Sequence, residues 1–296
     1  MLCKVEPETA DNSQRTSHKF IMSNKGSYFA KHKALIHGTE EEQARKKIPV
    51  NISEEKKAEF EAGKVLLIDK PLHWTSFDVV RKIRNSIRIK KVGHAGTLDP
   101  LATGLLIVCT GKFTKKINEY MAQEKEYTGT ITLGAVTPTY DLESTPQDEK
   151  DISEITEQQI QEATKKFIGD IEQFPPIYSA IKKDGVALYE LARRGVEVEL
   201  KARPVTIKEF EIISVDMPVI AFRVVCTTGT YIRSLANDLG AELGCGGYLS
   251  ALRRTRIGEF NVEDGVGMEE FLEALQPATD DGQPTTDDRQ PTTDDR

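Results

Sequence analysis

The chain has 296 residues, with 40 Lys+Arg against 47 Asp+Glu, 38% hydrophobic residues and a net charge of −7, a size that suits one large domain or two ordinary ones. No run approaches the ~18 uncharged apolar residues of a membrane helix and no secretory leader is recognisable; Cys3, Cys109, Cys226 and Cys245 form no C-x-x-C pair, so they read as reduced core thiols rather than a zinc site or disulfide framework. An acidic balance argues against a nucleic-acid partner unless basic residues are concentrated locally.

Residues 1–63 carry 11 basic and 10 acidic residues with scattered apolar ones, and are expected to form a polar, partly disordered extension. Ser53-Glu54-Glu55-Lys56 near its end reads as a capped short helix. The composition then changes. Val65–Ile68 reads as a buried strand, and the apolar spacing of residues 76–87 predicts a helix with Ser76 as N-cap. Leu105–Cys109 reads as a second buried strand, Lys115–Met121 as a short helix, and the alternation over Lys125–Gly134 as a half-exposed strand.

Further along, Glu157–Phe167, Ala187–Arg194, Tyr231–Leu243 and Met268–Leu275 read as helices, with strands at Thr206–Val215 and Ala221–Thr227. Interspersed strands and helices without strict alternation predict an α+β fold, a mixed sheet with flanking helices, over residues 64–275. Residues 276–296 repeat Gln-Pro-Thr-Thr-Asp-Asp-Arg and contain no apolar side chain after Ala278. They are expected to be a disordered acidic tail.

Two familiar motifs fail on spacing. Gly104 to Lys112 has six residues between its glycines and Phe113 after the lysine, which no phosphate-binding P-loop tolerates. The five histidines form no H-E-x-x-H pair, and there is no G-x-S-x-G elbow. What remains is Val92–Leu106, a loop of glycines and one proline around a single carboxylate, Asp99. From the residues alone Asp99 is either a turn former or a reactive acid.

The loop Gly93-His-Ala-Gly-Thr-Leu-Asp-Pro-Leu-Ala-Thr-Gly104 resembles the catalytic motif of the TruB family of tRNA pseudouridine synthases. Four further segments match that family in order: Leu67-Ile-Asp-Lys-Pro71, Lys125-Glu-Tyr127, Phe174–Lys182 and Gly229–Gly240 with its Thr-Tyr-Ile-Arg233. The match runs on through Leu252-Arg-Arg254 and covers about residues 64–270.

The resemblance implies a pseudouridine-synthase fold with a mainly antiparallel sheet and an RNA-pinching insertion at Phe174–Gly195. It implies isomerisation of uridine-55 in the T-loop of tRNA after the base is flipped out, with no cofactor and no metal. Asp99 would be the essential carboxylate, as nucleophile or as base, paired and oriented by Arg233. Tyr127 would stack on the flipped uracil, Tyr231 would be a second pocket aromatic, and His94 would fill the space the base leaves. Lys70, Pro71 and Leu252 would be structural support, the first two for the tyrosine-bearing strand.

Local charge agrees with an RNA partner. Residues 81–91 hold six basic residues and no acid, so Arg84, Arg88, Lys90 and Lys91 are candidates for the RNA backbone, joined by Lys182, Lys183, Arg193 and Arg194 of the insertion. Residues 141–162 hold eight acids and one lysine and are expected to lie away from the RNA cleft. The resemblance implies a cytoplasmic monomer that acts on the tRNA T-arm with no membrane and no obligatory protein partner. The PUA domain with which many members continue is expected to be absent, and some sixty residues precede the first motif. A tRNA-folding chaperone and the guide-RNA-dependent branch of the superfamily are the competing readings.

Overall fold

The computed structural model describes residues 52–276 except 180, 184 and 197; most of the N-terminal extension and the repetitive tail lie outside the described residues. In chain order the elements are α1 (Glu54–Ala62), β1 (Val65–Lys70), α2 (Ser76–Ile87), β2 (Val92–His94), β3 (Ala102–Thr110), a 3₁₀ turn (Gly111–Lys116), α3 (Ile117–Met121) and β4 (Lys125–Leu133). Then come α4 (Glu157–Lys165), β5 (Gly169–Gln173), β6 (Lys182–Lys183), β7 (Val186–Ala187), α5 (Leu188–Arg193), β8 (Arg203–Asp216) and β9 (Val219–Cys226). The chain closes with α6 (Ile232–Glu242), β10 (Gly247–Ile257), β11 (Phe260–Asn261), β12 (Val266–Gly267) and α7 (Met268–Ala274).

One mixed, mainly antiparallel sheet organises these elements in the order β12-β1-β3-β10-β4-β9-β8-β5, with β2 paired to β3 and β11 to β10. Strand side chains alternate between faces, and the register shows what each face does. Ile68, Leu106 and Val108 point into an apolar cluster with Ile83, Ile87, Phe271 and Leu272 of α2 and α7. Tyr127, Ile131, Phe222 and Val224 point into a second cluster with Ile160, Leu235 and Leu239 of α4 and α6. Both clusters lie on the same face of the sheet. On the opposite face Arg223 bridges Glu126, Glu209 and Glu211, and Arg256 reaches Glu124.

Three local outcomes differ from the sequence reading. The N-cap of α2 is Thr75, in a capping box with Asp78; Ser76 is the first helical residue, and its hydroxyl instead bonds the backbone of Leu98. Helix α1, which composition places in the polar extension, joins the core: Phe60 meets Phe271 edge to face at 6.4 Å, and the Thr110 hydroxyl donates to the Phe60 carbonyl. A side chain at Gly111 would collide with the Glu61 carbonyl at 2.1 Å, at a positive φ of 51°.

The third is β10, eleven residues long and central, which the sequence pattern does not reveal. Its arginines break the alternation, and each is satisfied by a partner that only the folded sheet supplies. Arg253 forks onto Asp69 at 3.0 and 2.7 Å, Arg254 donates to the Leu105 carbonyl, and Arg256 donates to Glu124. The cysteine reading agrees with the structure for the described residues: Cys109, Cys226 and Cys245 are buried free thiols, and burial pushes the first two up to about 11. Among the described residues no helix is long and apolar enough to cross a membrane.

Candidate active site

The Asp99 loop is held from both sides before its carboxylate does anything. Leu98 donates its amide to the Ser76 hydroxyl at 2.8 Å, and the Pro100 carbonyl accepts from His73. The Asp99 carbonyl caps the turn by accepting from Ala102. The Asp99 side chain is left 37% exposed, the only acid of the loop and open to a ligand.

Arg233 enters from the first turn of α6 and is buried. Its Nε stands 2.9 Å from Asp99 Oδ2 as an ion-pair contact that makes no hydrogen bond, and Nη2 donates to Asp99 Oδ1 at 3.4 Å, so charge and one hydrogen bond orient the carboxylate. The rest of the guanidinium is anchored: Nη1 donates to the Thr139 carbonyl and Nη2 to the Tyr178 carbonyl. Because Tyr178 belongs to the insertion, and Ser234 donates to the Phe174 carbonyl, the first turn of α6 ties the base of the insertion to the site.

A second carboxylate was not anticipated. Asp141, 3% exposed, lies 3.6 Å from the same Arg233 Nε. It accepts from the Thr139 hydroxyl at 2.6 Å and the Glu143 amide at 3.0 Å. Burial pushes its carboxyl above the usual range, against the opposing pull of Arg233. The expectation that residues 141–162 lie away from the cleft is therefore corrected for Asp141. It lines the same cleft as Asp99, with Leu101, Ala102 and residues 249–252. Counting acids along a segment hides one that is neutralised from another element. The local signal was the Thr139-x-Asp141 pairing, beside Tyr140 at a positive φ of 62°.

The remaining expected residues fall as follows. Tyr127, on β4, is buried and faces the cleft side of the sheet, and burial pushes its phenol up. Tyr231 is the N-cap of α6, clamped by the side chain of Gln173 through both its amide and carbonyl; burial raises its phenol while the Ser179 hydroxyl opposes the shift. His94 ends β2, and burial lowers its imidazole, so it is neutral at pH 7. Leu252 lies in β10 opposite Ala102 and forms the apolar wall of the cleft.

Lys70 is fully buried at the end of β1 and donates to the carbonyls of Pro71 and Trp74, at 2.9 and 2.6 Å. It does not adjoin the tyrosine-bearing strand, because β3 and β10 stand between β1 and β4. Of the RNA candidates, Arg88, Lys90, Lys91, Lys182 and Arg194 are exposed. Arg84 donates to the Val92 carbonyl and so braces β2, and Arg194 is 4.0 Å from Glu190. The side chains of Lys183 and Arg193 lie outside what the structure describes.

Burial lowers the Lys70 amine to about 8, with the Asp99 charge opposing the shift. The unfolded chain binds this proton up to about pH 10.5 and the folded chain only up to about 8, so stability rises with pH across that window. The gap corresponds to about 3 kcal/mol. In urea unfolding, wild type is expected to gain up to that much on Lys70→Met between pH 8 and 10.5, the variant cancelling the same behaviour at Lys125. A difference that stays flat with pH would contradict a buried charged amine.

Chemically, the site offers a half-open carboxylate oriented by a buried arginine, an apolar wall, and one buried and one half-buried phenol. It suits attack on, or proton removal from, a sugar or a ring placed over Leu252.

Comparison with known proteins shows the family of the chain. Residues 84–232 match the family model described as TruB family pseudouridylate synthase (N terminal domain). Residues 233–288 match that of the tRNA pseudouridylate synthase B C-terminal domain. The chain is 53% identical over 225 residues to tRNA pseudouridine synthase B of Flavobacterium johnsoniae, covering 74% of this chain and 98% of that one. Identity to the protein of the same name from Phocaeicola vulgatus is 51% over 222 residues, covering 73% and 94%. Among solved structures, one described as a Cbf5-Nop10-Gar1 complex superposes with a TM-score of 0.58 at 29% identity, over 76% of this chain and 58% of that one. An H/ACA RNP bound to a substrate RNA containing 2′-deoxyuridine gives 0.55 at 28%, over 74% and 54%. The chain thus spans a little over half the length of these two structural neighbours.

Proposed function

The chain belongs to the TruB family of pseudouridylate synthases, and on that premise we propose that it converts uridine-55 in the T-loop of tRNA to pseudouridine, with residues 64–275 as the catalytic domain. The observation that carries this reading is the partly exposed Asp99 carboxylate paired with the buried Arg233 in a cleft walled by Leu252. The N1–C1′ bond of the flipped nucleotide breaks, the uracil turns, and C5 joins C1′; C5 gives up its proton and N1 takes one, so the product is an isomer.

Each side chain then has a task. Asp99 acts in its ionised form on the sugar or the ring, and Arg233 holds it there. Tyr127 and Tyr231, whose phenols burial keeps protonated, stack on the uracil and stand beside the C5 and N1 protons. Neutral His94 fills the stack from which the base has left. Unstacking costs a few kcal/mol that these pocket contacts must offset. The exposed bases Arg88, Lys90, Lys91, Lys182 and Arg194 bind phosphates around the T-arm. The reading is of a monomer in the cytoplasm that needs neither a protein partner nor a cofactor.

The test is to incubate the purified chain alone with transcribed tRNA and map pseudouridine by sequence position. Modification confined to position 55 is expected. Modification elsewhere, or a requirement for a guide RNA or second protein, would overturn the reading.

A further inference from the structure

The strand register places one transverse row of residues directly beneath the cleft. Lys70 of β1 pairs with Gly104 of β3, Gly104 with Arg254 of β10, and Arg254 with Tyr127 of β4. Neighbours in such a row stand about 4.8 Å apart and share a face. The row therefore reads lysine, nothing, arginine, tyrosine, and the gap at Gly104 is enforced: a Cβ there would lie 2.3 Å from the Arg254 carbonyl oxygen, at a φ of 101°.

Arg254 is 1% exposed, and among the described residues it is in no ion pair. A buried guanidinium without a carboxylate costs several kcal/mol unless its donors are satisfied. Nε donates to the Leu105 carbonyl at 2.8 Å and Nη2 to the Gly96 carbonyl at 3.2 Å, and the sheet register makes Arg254 the cross-strand partner of Tyr127. Gly96 sits three residues before Asp99 at a φ of 94°, a backbone conformation that favours glycine, and a Cβ there would be in ordinary contact with Arg254 Nη1 at 3.5 Å. Three parts of the site thus converge on one rigid planar group: the catalytic loop, the strand that follows it, and the tyrosine expected to stack on the substrate base.

We propose that Arg254 is a positioning residue for the isomerisation: its guanidinium fixes the distance between the Asp99 loop and the Tyr127 ring, and so the width of the slot that accepts the flipped uracil. Arg254 touches no substrate. A misplacement of about 1 Å between reacting groups costs about 100-fold in rate, and a lysine, whose three donors sit on one nitrogen at the end of a flexible stem, lacks the planar spread of donors that reaches Leu105 and Gly96 together.

The inference rests on the function proposed above, and the two fail differently. If wild type does not modify tRNA, that reading fails; if wild type works and the following variants work as well, only the role of Arg254 fails. Arg254→Lys and Arg254→Gln are compared with wild type for single-turnover pseudouridine formation at saturating tRNA, for tRNA binding and for thermal unfolding. The expected result is a rate lowered about 100-fold with affinity for tRNA within about threefold, since no phosphate contact is lost.

A purely structural residue would not couple to the tyrosine, so the decisive readout is a cycle with Tyr127→Phe. That substitution is expected to cost at least about fivefold less rate in the Arg254→Lys background than in wild type. Rates within threefold of wild type in a folded variant, or additive losses in the cycle, would overturn the proposal. Global unfolding of both variants would also overturn it, making Arg254 a folding residue instead.

Discussion

Asp99→Asn is expected to abolish pseudouridine formation, by about 10⁴-fold or more in single-turnover rate, while leaving the protein folded and its tRNA affinity within about threefold. The amide is isosteric with the carboxylate and its oxygen can still accept from Arg233, whose other donors remain on Thr139 and Tyr178. The loop is fixed through Leu98, Pro100 and Ala102 rather than through the side chain, so nothing holding the backbone is lost. What disappears is the anionic oxygen that either route of the reaction needs. The same variant tests the chaperone reading: a protein whose catalysis is incidental would promote tRNA folding equally well with Asn at position 99. Residual modification above about one part in a thousand would remove Asp99 from its role.

Arg233→Gln is expected to be the most damaging single change to the site as a whole. It leaves Asp141 buried without its cation and the Thr139 and Tyr178 carbonyls without donors, and breaking a buried pair from one side costs about 3–5 kcal/mol. Arg233→Lys keeps the charge but not the planar spread of donors, and is expected to lose about 100-fold in rate with a smaller loss of stability. Asp141→Asn acts in the opposite sense on stability, because it removes a carboxylate whose charged form burial already disfavours. Its effect falls on the rate, about tenfold, through the loss of a negative charge 3.6 Å from the Arg233 Nε that faces Asp99. Combined with Arg233→Lys it should cost less than the sum of the two, by at least about 1 kcal/mol. Additive losses would mean that Asp141 does not act through Arg233.

Much of the frame was legible because burial writes itself into sequence. Val65–Ile68 and Leu105–Cys109 are continuous apolar runs, and α2 and α4 carry clean helical spacing. The N-cap moved from Ser76 to Thr75 because both are hydroxyl residues, and only the fold shows that Ser76 is engaged by Leu98. Strand β10 was invisible because Arg253, Arg254 and Arg256 look like a solvated stretch until Asp69, Leu105 and Glu124 arrive from elsewhere. Of the site, composition and spacing left Asp99 undecided, and the family resemblance supplied the roles of Asp99, Tyr127 and Arg233. Neither source gave a role to Asp141 or to Arg254. A carboxylate is recognised as special only once its counter-ion is known, and a buried arginine only once its carbonyl partners are.

The position of β10 also governs the order of events while the protein is being made. It is the strand that joins β3 to β4, yet residues 134–246 are synthesised between β4 and it. Throughout that interval the edge of β4 that will meet β10 and the Ala102–Gly104 end of β3, beyond its pairing with β2, have no mate, and Tyr127 and Gly104 wait for the arginine that will lie between them. A nascent chain therefore carries open, apolar strand edges for more than a third of its synthesis, the condition under which sheets mispair and aggregate. Once residue 257 is clear, one insertion closes both edges and completes the cleft, so the enzyme passes from no active site to a finished one in a single late step.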